Sequence, residues 1–508
     1  MRTKRIVYNT ISRLFYSAVA AVSGLIIPRL ILSHFGSDYY GVITSITQFM
    51  GYIAILSMGA YSVTQVALFK PLAEENIFSI SRIIRASEMF MRKIAFIFAG
   101  AVVFFAMLYP FLVIDDFEWS FTFVMVFILG VGPFVQYYLW ITYNILLEAD
   151  QRGYVAMLVH SIALLINVPI TAYFIISGFA IQLVYLISAL VLMAPVFFIY
   201  FFVKKNYKLI KTIEPDVSAL KQRWDAFAHQ FSNFIKTNSD IVIVTLFLGI
   251  LEVSVYAVYY LIISSISTLI GGFLGGGILP ALGNMFAKNE TKSIQDTLRF
   301  YEFITNTLST LLFTCTALLI VQFISIYTTG VYDVNYYRPI FAYLVCTAQF
   351  SFMLRMPYES VVYVAGHFKQ TRNGAIAEAV IHVVVSLSLV YFLGIVGVAI
   401  GALCSTVFRT VQYAFYASQN IVKRHARIAV KKFLISLLSA GIIITISRLL
   451  PEMNIVSYAA WILHALPVFG IAVGVTALVV AIFYREEFNM LIKGILRIMN
   501  KNAIAQDS

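Results

Sequence analysis

Four basic residues, Arg13, Lys236, Arg355 and Arg409, sit inside stretches of sequence that are otherwise almost wholly apolar. Burying a lone charge at such a place costs several kcal/mol, so the side chain faces a wet cavity, a partner or the headgroups. Fixed cations there suit an anionic ligand, a diphosphate above all, and the planar fork of Arg grips two phosphate oxygens at once. Arg409 is the strongest candidate. It lies about 11 residues from the inner end of its stretch, roughly 16 Å deep at the α-helical rise, with no acid nearby in that stretch. Arg355 with Glu359, and Lys236 with Asp240, are spaced i,i+4, so each pair can close on one helix face. They read equally as interhelical struts or as cavity cations beside coupling acids. Arg13 is only a few residues into its stretch, where snorkelling to inner headgroups competes with a cavity role. Gln136, Tyr137, Tyr138, Trp140, Tyr143 and Asn144 join aromatic faces to amides. Such surfaces bind sugars, though an interfacial aromatic belt accounts for some of them. His160 and His382 read as satisfied core residues rather than proton sites.

The elements that hold these residues are long apolar runs. Hydrophobic residues make up 61% of the chain and charged ones 12%, about half the charge of a soluble domain. Runs of about 18 residues or more, the length that crosses a bilayer core, divide the chain into about 14 spans. These fall at 8–33, 40–66, 94–114, 120–147, 154–176, 178–203, 226–249, 253–283, 301–328, 338–365, 374–393, 395–419, 433–450 and 456–483. With the N-terminus inside, 29 of the 36 Lys and Arg residues fall in cytoplasmic segments and three at the external ends of spans, Arg29, Arg338 and Arg448. That asymmetry places both termini in the cytoplasm. An all-α polytopic protein of the cytoplasmic (inner) membrane follows.

The net charge of +12 is then a topology signal and a contact with anionic lipid, and no nucleic-acid partner is indicated. Cys315, Cys346 and Cys404 lie within spans without a pairing pattern and read as small packing residues. No disulfide, metal site or cofactor is indicated. The small residues of 17–24 belong to a run continuing to Leu32, so the first span is read as retained. External loops are very short, which leaves no room for a soluble catalytic domain.

Two cytoplasmic stretches stand out. In 70–93, Ile77, Ile80 and Ile84 recur at helical spacing beside Arg82, Arg85, Arg92 and Lys93. This describes either a helix lying on the inner leaflet with its cations on lipid phosphates, or a solvated loop helix. The segment 204–225 carries six basic residues and Pro215, where a joint between two halves would be. Two weak internal matches support the halves. HFGSDYYGVI (34–43) resembles FLGILEVSVYAVYYLI (247–262), each with a Gly closing a helix before a Tyr-rich entry. YNILLEADQRGY (143–154) resembles YESVVYVAGHFKQT (358–371). Both recur six spans apart, which calls for a parallel repeat. Gly271, Gly272, Gly275, Gly276, Gly277 and Pro280 interrupt the eighth span, either for close packing or as a bend.

IIPRLILSHFGSDYYGVI (26–43), SVYAVYYLI (254–262), GGGILPALGNMFA (275–287), GHFKQTRNGAIAEA (366–379) and GIVGVAIGALCSTVFRT (394–410) together resemble the polysaccharide-transport flippases. These are the Wzx-like members of the superfamily that also holds the multidrug and toxin extrusion antiporters and the lipid II flippases. The resemblance covers roughly residues 1–420. It implies a V-shaped, MATE/MurJ-like pair of six-helix lobes. These would be an N-lobe 1–203, a basic linker 204–225 and a C-lobe 226–419, followed by spans 13–14 within 420–483 and a cytoplasmic tail 484–508. It further implies alternating-access movement of an undecaprenyl-diphosphate-linked oligosaccharide from the inner to the outer leaflet. The lipid-linked oligosaccharide would then be the partner, with other polysaccharide-assembly proteins as candidate companions. Arg409, Arg355, Lys236 and Arg13 would form the cationic cavity, Asp240 and Glu359 the coupling or ion-pair acids, and Gln136, Tyr137, Tyr143 and Asn144 the sugar contacts.

Two rival classes are set against this reading. A drug or cation antiporter on the same fold would want an acidic cavity, whereas four of the six deep charges are cationic. A membrane enzyme of polysaccharide assembly would need a sizeable loop bearing carboxylates and Arg; Asp115 and Asp116 in a tiny loop do not supply it.

Overall fold

The computed structural model describes residues 2–54, 58–113, 116–210, 212–216, 234, 238–275, 282–283, 285–286, 288, 290–451 and 453–492. Helices account for nearly all of them, and twelve are long and apolar enough to cross a membrane. The chain is a multi-pass membrane protein. In order the helices are α1 (Arg2–His34), α2 (Ser37–Ala54), α3 (Met58–Ala73), α4 (Ile77–Leu108), α5 (Trp119–Val135), α6 (Ile141–Ala149), α7 (Gly153–Ile176) and α8 (Ile181–Asn206). A short apolar helix α9 (Asn238–Leu248) follows. Then come α10 (Ile250–Gly275), α11 (Thr291–Tyr327), α12 (Pro339–Val364), α13 (Phe368–Leu393), α14 (Ile395–Tyr416), α15 (Arg427–Ser447) and α16 (Tyr458–Phe483). The predicted spans 40–66 and 226–249 correspond to α2 with α3, and to α9; both run across residues outside the described set.

Helices beginning at Ser37, Ile77, Gly153 and Ile181 are followed by helices beginning at Ile250, Thr291, Phe368 and Ile395, each 213 to 215 residues later. The register agrees with the internal matches. Gly36 and Gly249, which end the two matched segments' first helices, have φ of +97° and +85°, the left-handed conformation that glycine adopts without strain.

The chain divides into two compact units. The first comprises Met1–Ser265, Thr328–Tyr336 and Ala375–Gly401; the second comprises Ile266–Tyr327, Tyr337–Gly374 and Ala402–Ser508. In the first unit, Ile80, Ile83 and Ile84 of α4 pack with Leu68, Tyr143, Ile145, Ile199 and Val203. The turns bearing Arg82 and Arg85 are therefore the start of a continuous 32-residue helix, not a separate helix laid on the leaflet. Pro133 near the end of α5 cannot donate to the ladder. A π-turn, Gln136–Trp140, follows before the helix resumes as α6. Outside the spans, the Asp333 carboxylate accepts from the Ser37 amide and hydroxyl at 2.6 Å each, capping α2. The Tyr336 hydroxyl lies 2.7 Å from both Ser37 and Ser254, and burial pushes its pKa up to about 12.

The second unit is built on α11. Cys315 and Leu319 pack against Ile443 of α15 and Val468, Ala472 and Val475 of α16, and the Trp461 indole donates to the Leu319 carbonyl at 3.1 Å. The last two spans, which carry no recognised motif, are thus seated on this long helix. Cys404 is exposed, so the packing role expected of it does not hold. A Cβ on Gly271 would meet nothing within 4 Å, so close packing does not explain that glycine; Gly276, Gly277 and Pro280 lie outside the described residues.

Gly41 differs from Gly271. A Cβ there would press on the Ile250 carbonyl oxygen, a backbone atom that cannot swing aside. Gly41→Ala is expected to cost about 1–3 kcal/mol, as overpacking does, read as a lower unfolding midpoint in detergent. A midpoint equal to wild type would mean that α2 and α10 separate without cost.

Candidate functional site

In the second unit, two of the predicted cavity arginines converge on one tyrosine. Arg355 and Arg409 are 1% and 2% exposed. The Arg409 guanidinium lies 3.9 Å from the Tyr413 ring centroid, and that of Arg355 lies 5.9 Å from the same centroid. Arg409 donates to the Thr371 carbonyl at 3.0 Å, to the Tyr413 hydroxyl at 2.7 Å and to the Gln412 amide oxygen. Gly374 makes room for that amide, since a Cβ on it would overlap Gln412. Arg355 pairs with Glu359 at 3.2 Å, the i,i+4 contact expected from the sequence, and stacks 4.5 Å from the Phe352 ring. Tyr363 donates to the other Glu359 oxygen at 3.0 Å. The helices carrying the cluster are tied by small polar groups: the Thr410 hydroxyl donates to the Ser351 carbonyl at 3.0 Å.

This arrangement holds two guanidinium groups and one carboxylate in an apolar helical packing, with aromatic faces beneath both cations. Each guanidinium lies against an aromatic face, and Arg355 is in addition paired with Glu359. The cluster is suited to attracting an anion once it is opened to one.

A second buried centre in this unit was not singled out by sequence reasoning. Glu302 of α11 is fully buried. It accepts from both Nη atoms of Arg424, one at 3.0 Å, and from Lys432 of α15 at 2.9 Å. In the sequence Arg424 and Lys432 count only among the 29 cytoplasmic basic residues. The available signal was Glu302 itself, a carboxylate at the head of an apolar run.

In the first unit, Asp240 is held from two sides. His382 Nε2 lies 2.6 Å from Asp240 Oδ1, and Tyr256 donates to Oδ2 at 2.5 Å. Asp240 is 7% and His382 1% exposed. His382, read from sequence as a core residue, is therefore a core residue that also pairs with a candidate coupling acid. An imidazole and a carboxylate at this distance can share or pass a proton. Lys236, the predicted partner of Asp240, lies outside the described residues. Arg13 is exposed on α1.

The proposed sugar contacts occupy different surroundings. Gln136 and Tyr137 lie in the π-turn, and the Tyr137 ring packs 5.4 Å from Phe98. Tyr143 is buried and donates to Glu88 at 2.6 Å. Asn144 donates to Tyr61 at 3.2 Å and to Glu148 at 3.4 Å. Only Tyr143 among these four borders the cavity between α4, α6 and α8 described below.

No protein-family model and no curated protein matches the sequence. Solved structures do match. The lipid II flippase MurJ, in an inward closed conformation, superposes with a TM-score of 0.70 at 13% identity, covering 95% of this chain and 99% of that one. The fold is that of MurJ and the MATE transporters. A MOP superfamily transporter from Pyrococcus furiosus gives a TM-score of 0.63 at 14% identity, covering 83% of this chain and 97% of its own. An inward-facing multidrug resistance MATE transporter of the same superfamily gives 0.57 at 13%, covering 83% and 99%. The match to MurJ thus takes in more of this chain than the matches to the other two.

Proposed function

We propose that this protein is a flippase that carries a polyprenyl-diphosphate-linked oligosaccharide from the inner to the outer leaflet by alternating access. The observation that carries this reading is the pair Arg355 and Arg409, buried about Tyr413 in helices long enough to cross a membrane. Its support is the fold shared with a lipid II flippase, together with the sequence resemblance to the Wzx-like group. Arg409 and Arg355 grip the diphosphate, with Lys236 and Arg13 as further cavity cations. Asp240, with His382 at 2.6 Å, couples the cycle, and Glu359 holds Arg355 between turnovers. Gln136, Tyr137, Tyr143 and Asn144 remain the proposed sugar contacts. Both termini and the 204–225 segment lie in the cytoplasm, as their basic residues require.

The rival drug antiporter calls for an acidic pocket. For the Pyrococcus transporter, reverse polarity of the binding pocket is taken to suggest a different function, so the fold accommodates more than one pocket polarity. Two arginines favour the anionic substrate here.

Deleting the gene is expected to block surface polysaccharide and to leave lipid-linked repeat units on the inner leaflet, measured by glycan staining and by analysis of extracted lipid intermediates. Normal surface glycan in a strain with no second flippase would sink the assignment. Increased sensitivity to cationic dyes with unchanged glycan would point to the antiporter.

A further inference from the structure

We propose that the first unit carries, at the end of α4 and α8 that holds Arg85 and Lys204, a binding site for a phosphate group, separate from the Arg355 and Arg409 cluster. A cavity of about 390 Å³ opens there, lined by Arg85, Glu88, Arg92, Tyr143, Tyr200 and Lys204 among others. Three cations face one carboxylate. Glu88 is already engaged: Tyr143 donates to it at 2.6 Å, and Arg85 approaches it at 3.4 Å. Arg92 has no carboxylate within ion-pair distance among the described residues. Its guanidinium rests 5.1 Å from the Tyr138 ring centroid, and its buried Nε has no hydrogen-bond partner among the described residues. The Lys204 ammonium donates to the Tyr200 hydroxyl, a neutral acceptor, and has no carboxylate within ion-pair distance among the described residues. A buried donor left without an acceptor is destabilising, and an anion in the cavity would supply one.

The second unit supplies the contrast. Glu302 stands 214 residues after Glu88, and Arg299 214 after Arg85, on the helix that repeats α4. There Arg424 and Lys432 both bind the acid directly, and Arg299 pairs with Glu486 at 2.8 Å and Glu487 at 3.3 Å. Arg299, Arg424 and Lys432 are thus each matched by an acid of the chain, beside a cavity of the same volume, about 390 Å³. In the first unit only Arg85 of the three lining cations has an acid, Glu88, within ion-pair distance among the described residues.

Position fits a membrane source for the phosphate. At 32 residues, α4 is about 48 Å long, roughly 18 Å more than the hydrocarbon core. Arg85 and Arg92 stand about 12 and 22 Å along it from Ile77 at the same rise, at headgroup level and just inside the core if the far end is flush. Phe198 and Phe201 of α8, on the core side of Lys204, are exposed and offer an apolar bed for acyl chains. A free phosphate would use the same cations without that bed.

The test uses the purified full-length chain in detergent and reads its unfolding midpoint. The probes are phosphatidylglycerol, diacylglycerol with the same acyl chains, and inorganic phosphate. Phosphatidylglycerol is expected to raise the midpoint by several degrees where diacylglycerol does not. Arg92→Gln with Lys204→Gln should need at least tenfold more lipid for the same shift, and Arg92→Lys with Lys204→Arg should restore it. Lys204→Gln alone, at an exposed position, gives a reading if the double variant does not fold. A shift by inorganic phosphate, lost in the Gln variants, would confirm the site and assign it a soluble anion. No shift with either phosphate probe, or a phosphatidylglycerol shift that survives the Gln variants unchanged, would overturn the proposal.

Discussion

Arg409→Ala is expected to abolish polysaccharide export in a complementation assay while the protein still reaches the membrane in normal amount. Arg409 is 2% exposed and donates to the Thr371 carbonyl, the Tyr413 hydroxyl and Gln412. If the diphosphate replaces these acceptors during transport, two charge-assisted hydrogen bonds are lost with the side chain. At about 1.5–3 kcal/mol each, the substrate complex weakens by a factor on the order of 10²–10⁴. The folded state loses less. Thr371 O and the Tyr413 hydroxyl lose a partner, but the cost of holding a desolvated guanidinium disappears with it. Arg409→Lys keeps the charge and loses the planar fork, so partial export should survive. The rival role is a structural one, in which Arg409 braces its helices. That predicts a large fall in unfolding midpoint and expression for the Ala variant, with Lys rescuing stability and export together. Wild-type export by the Ala variant would remove Arg409 from transport altogether.

Much of this was legible because apolar runs and basic loops are written residue by residue. With α5 and α6 taken as one span, Trp119–Ala149, the ends of that span, of α7 and α8 and of α12 through α16 lie within about six residues of the expected ones. The large misreadings occurred where polar residues sit in a helix. The third span was expected to begin at 94 and the ninth at 301, but α4 begins at Ile77 and α11 at Thr291. Hydropathy cuts a helix at Arg85, Glu88, Arg299 or Glu302, because it prices each charge alone. In the fold these charges are paired or lie over aromatic rings, so the helix runs through them. The i,i+4 contact of Arg355 with Glu359 was visible because both partners share a helix. That Tyr413 lies under both arginines, or that His382 meets Asp240 across 142 residues, depends on helix packing that no local spacing encodes.

The largest expected effect on stability belongs to Glu302. Its side chain is fully buried, and it joins α11 to Arg424, just beyond the π-turn Ala417–Ile421, and to Lys432 of α15. Glu302→Gln preserves the shape and removes the charge. Two cations that are themselves 8% and 9% exposed would then be left facing a neutral amide that can accept at one oxygen only. Breaking a buried ion pair from one side costs about 3–5 kcal/mol, which lowers an unfolding midpoint by on the order of 10 °C for a unit of this size. Glu487 is the nearest fallback, but Lys432 approaches it only to 3.9 Å, and Arg299 already holds it at 3.3 Å. Adding Lys432→Met to Glu302→Gln removes one of the stranded charges and keeps an unbranched side chain in the packing. The double variant should therefore be more stable than Glu302→Gln alone, a sign reversal that simple additivity does not give. Thermal unfolding of the wild type, Glu302→Gln, Lys432→Met and the double variant in one detergent measures the coupling. If Glu302→Gln unfolds within a degree or two of wild type, the carboxylate is not what holds α15 to α11, and the apolar contacts of Cys315 and Leu319 with Ile443 carry that joint instead.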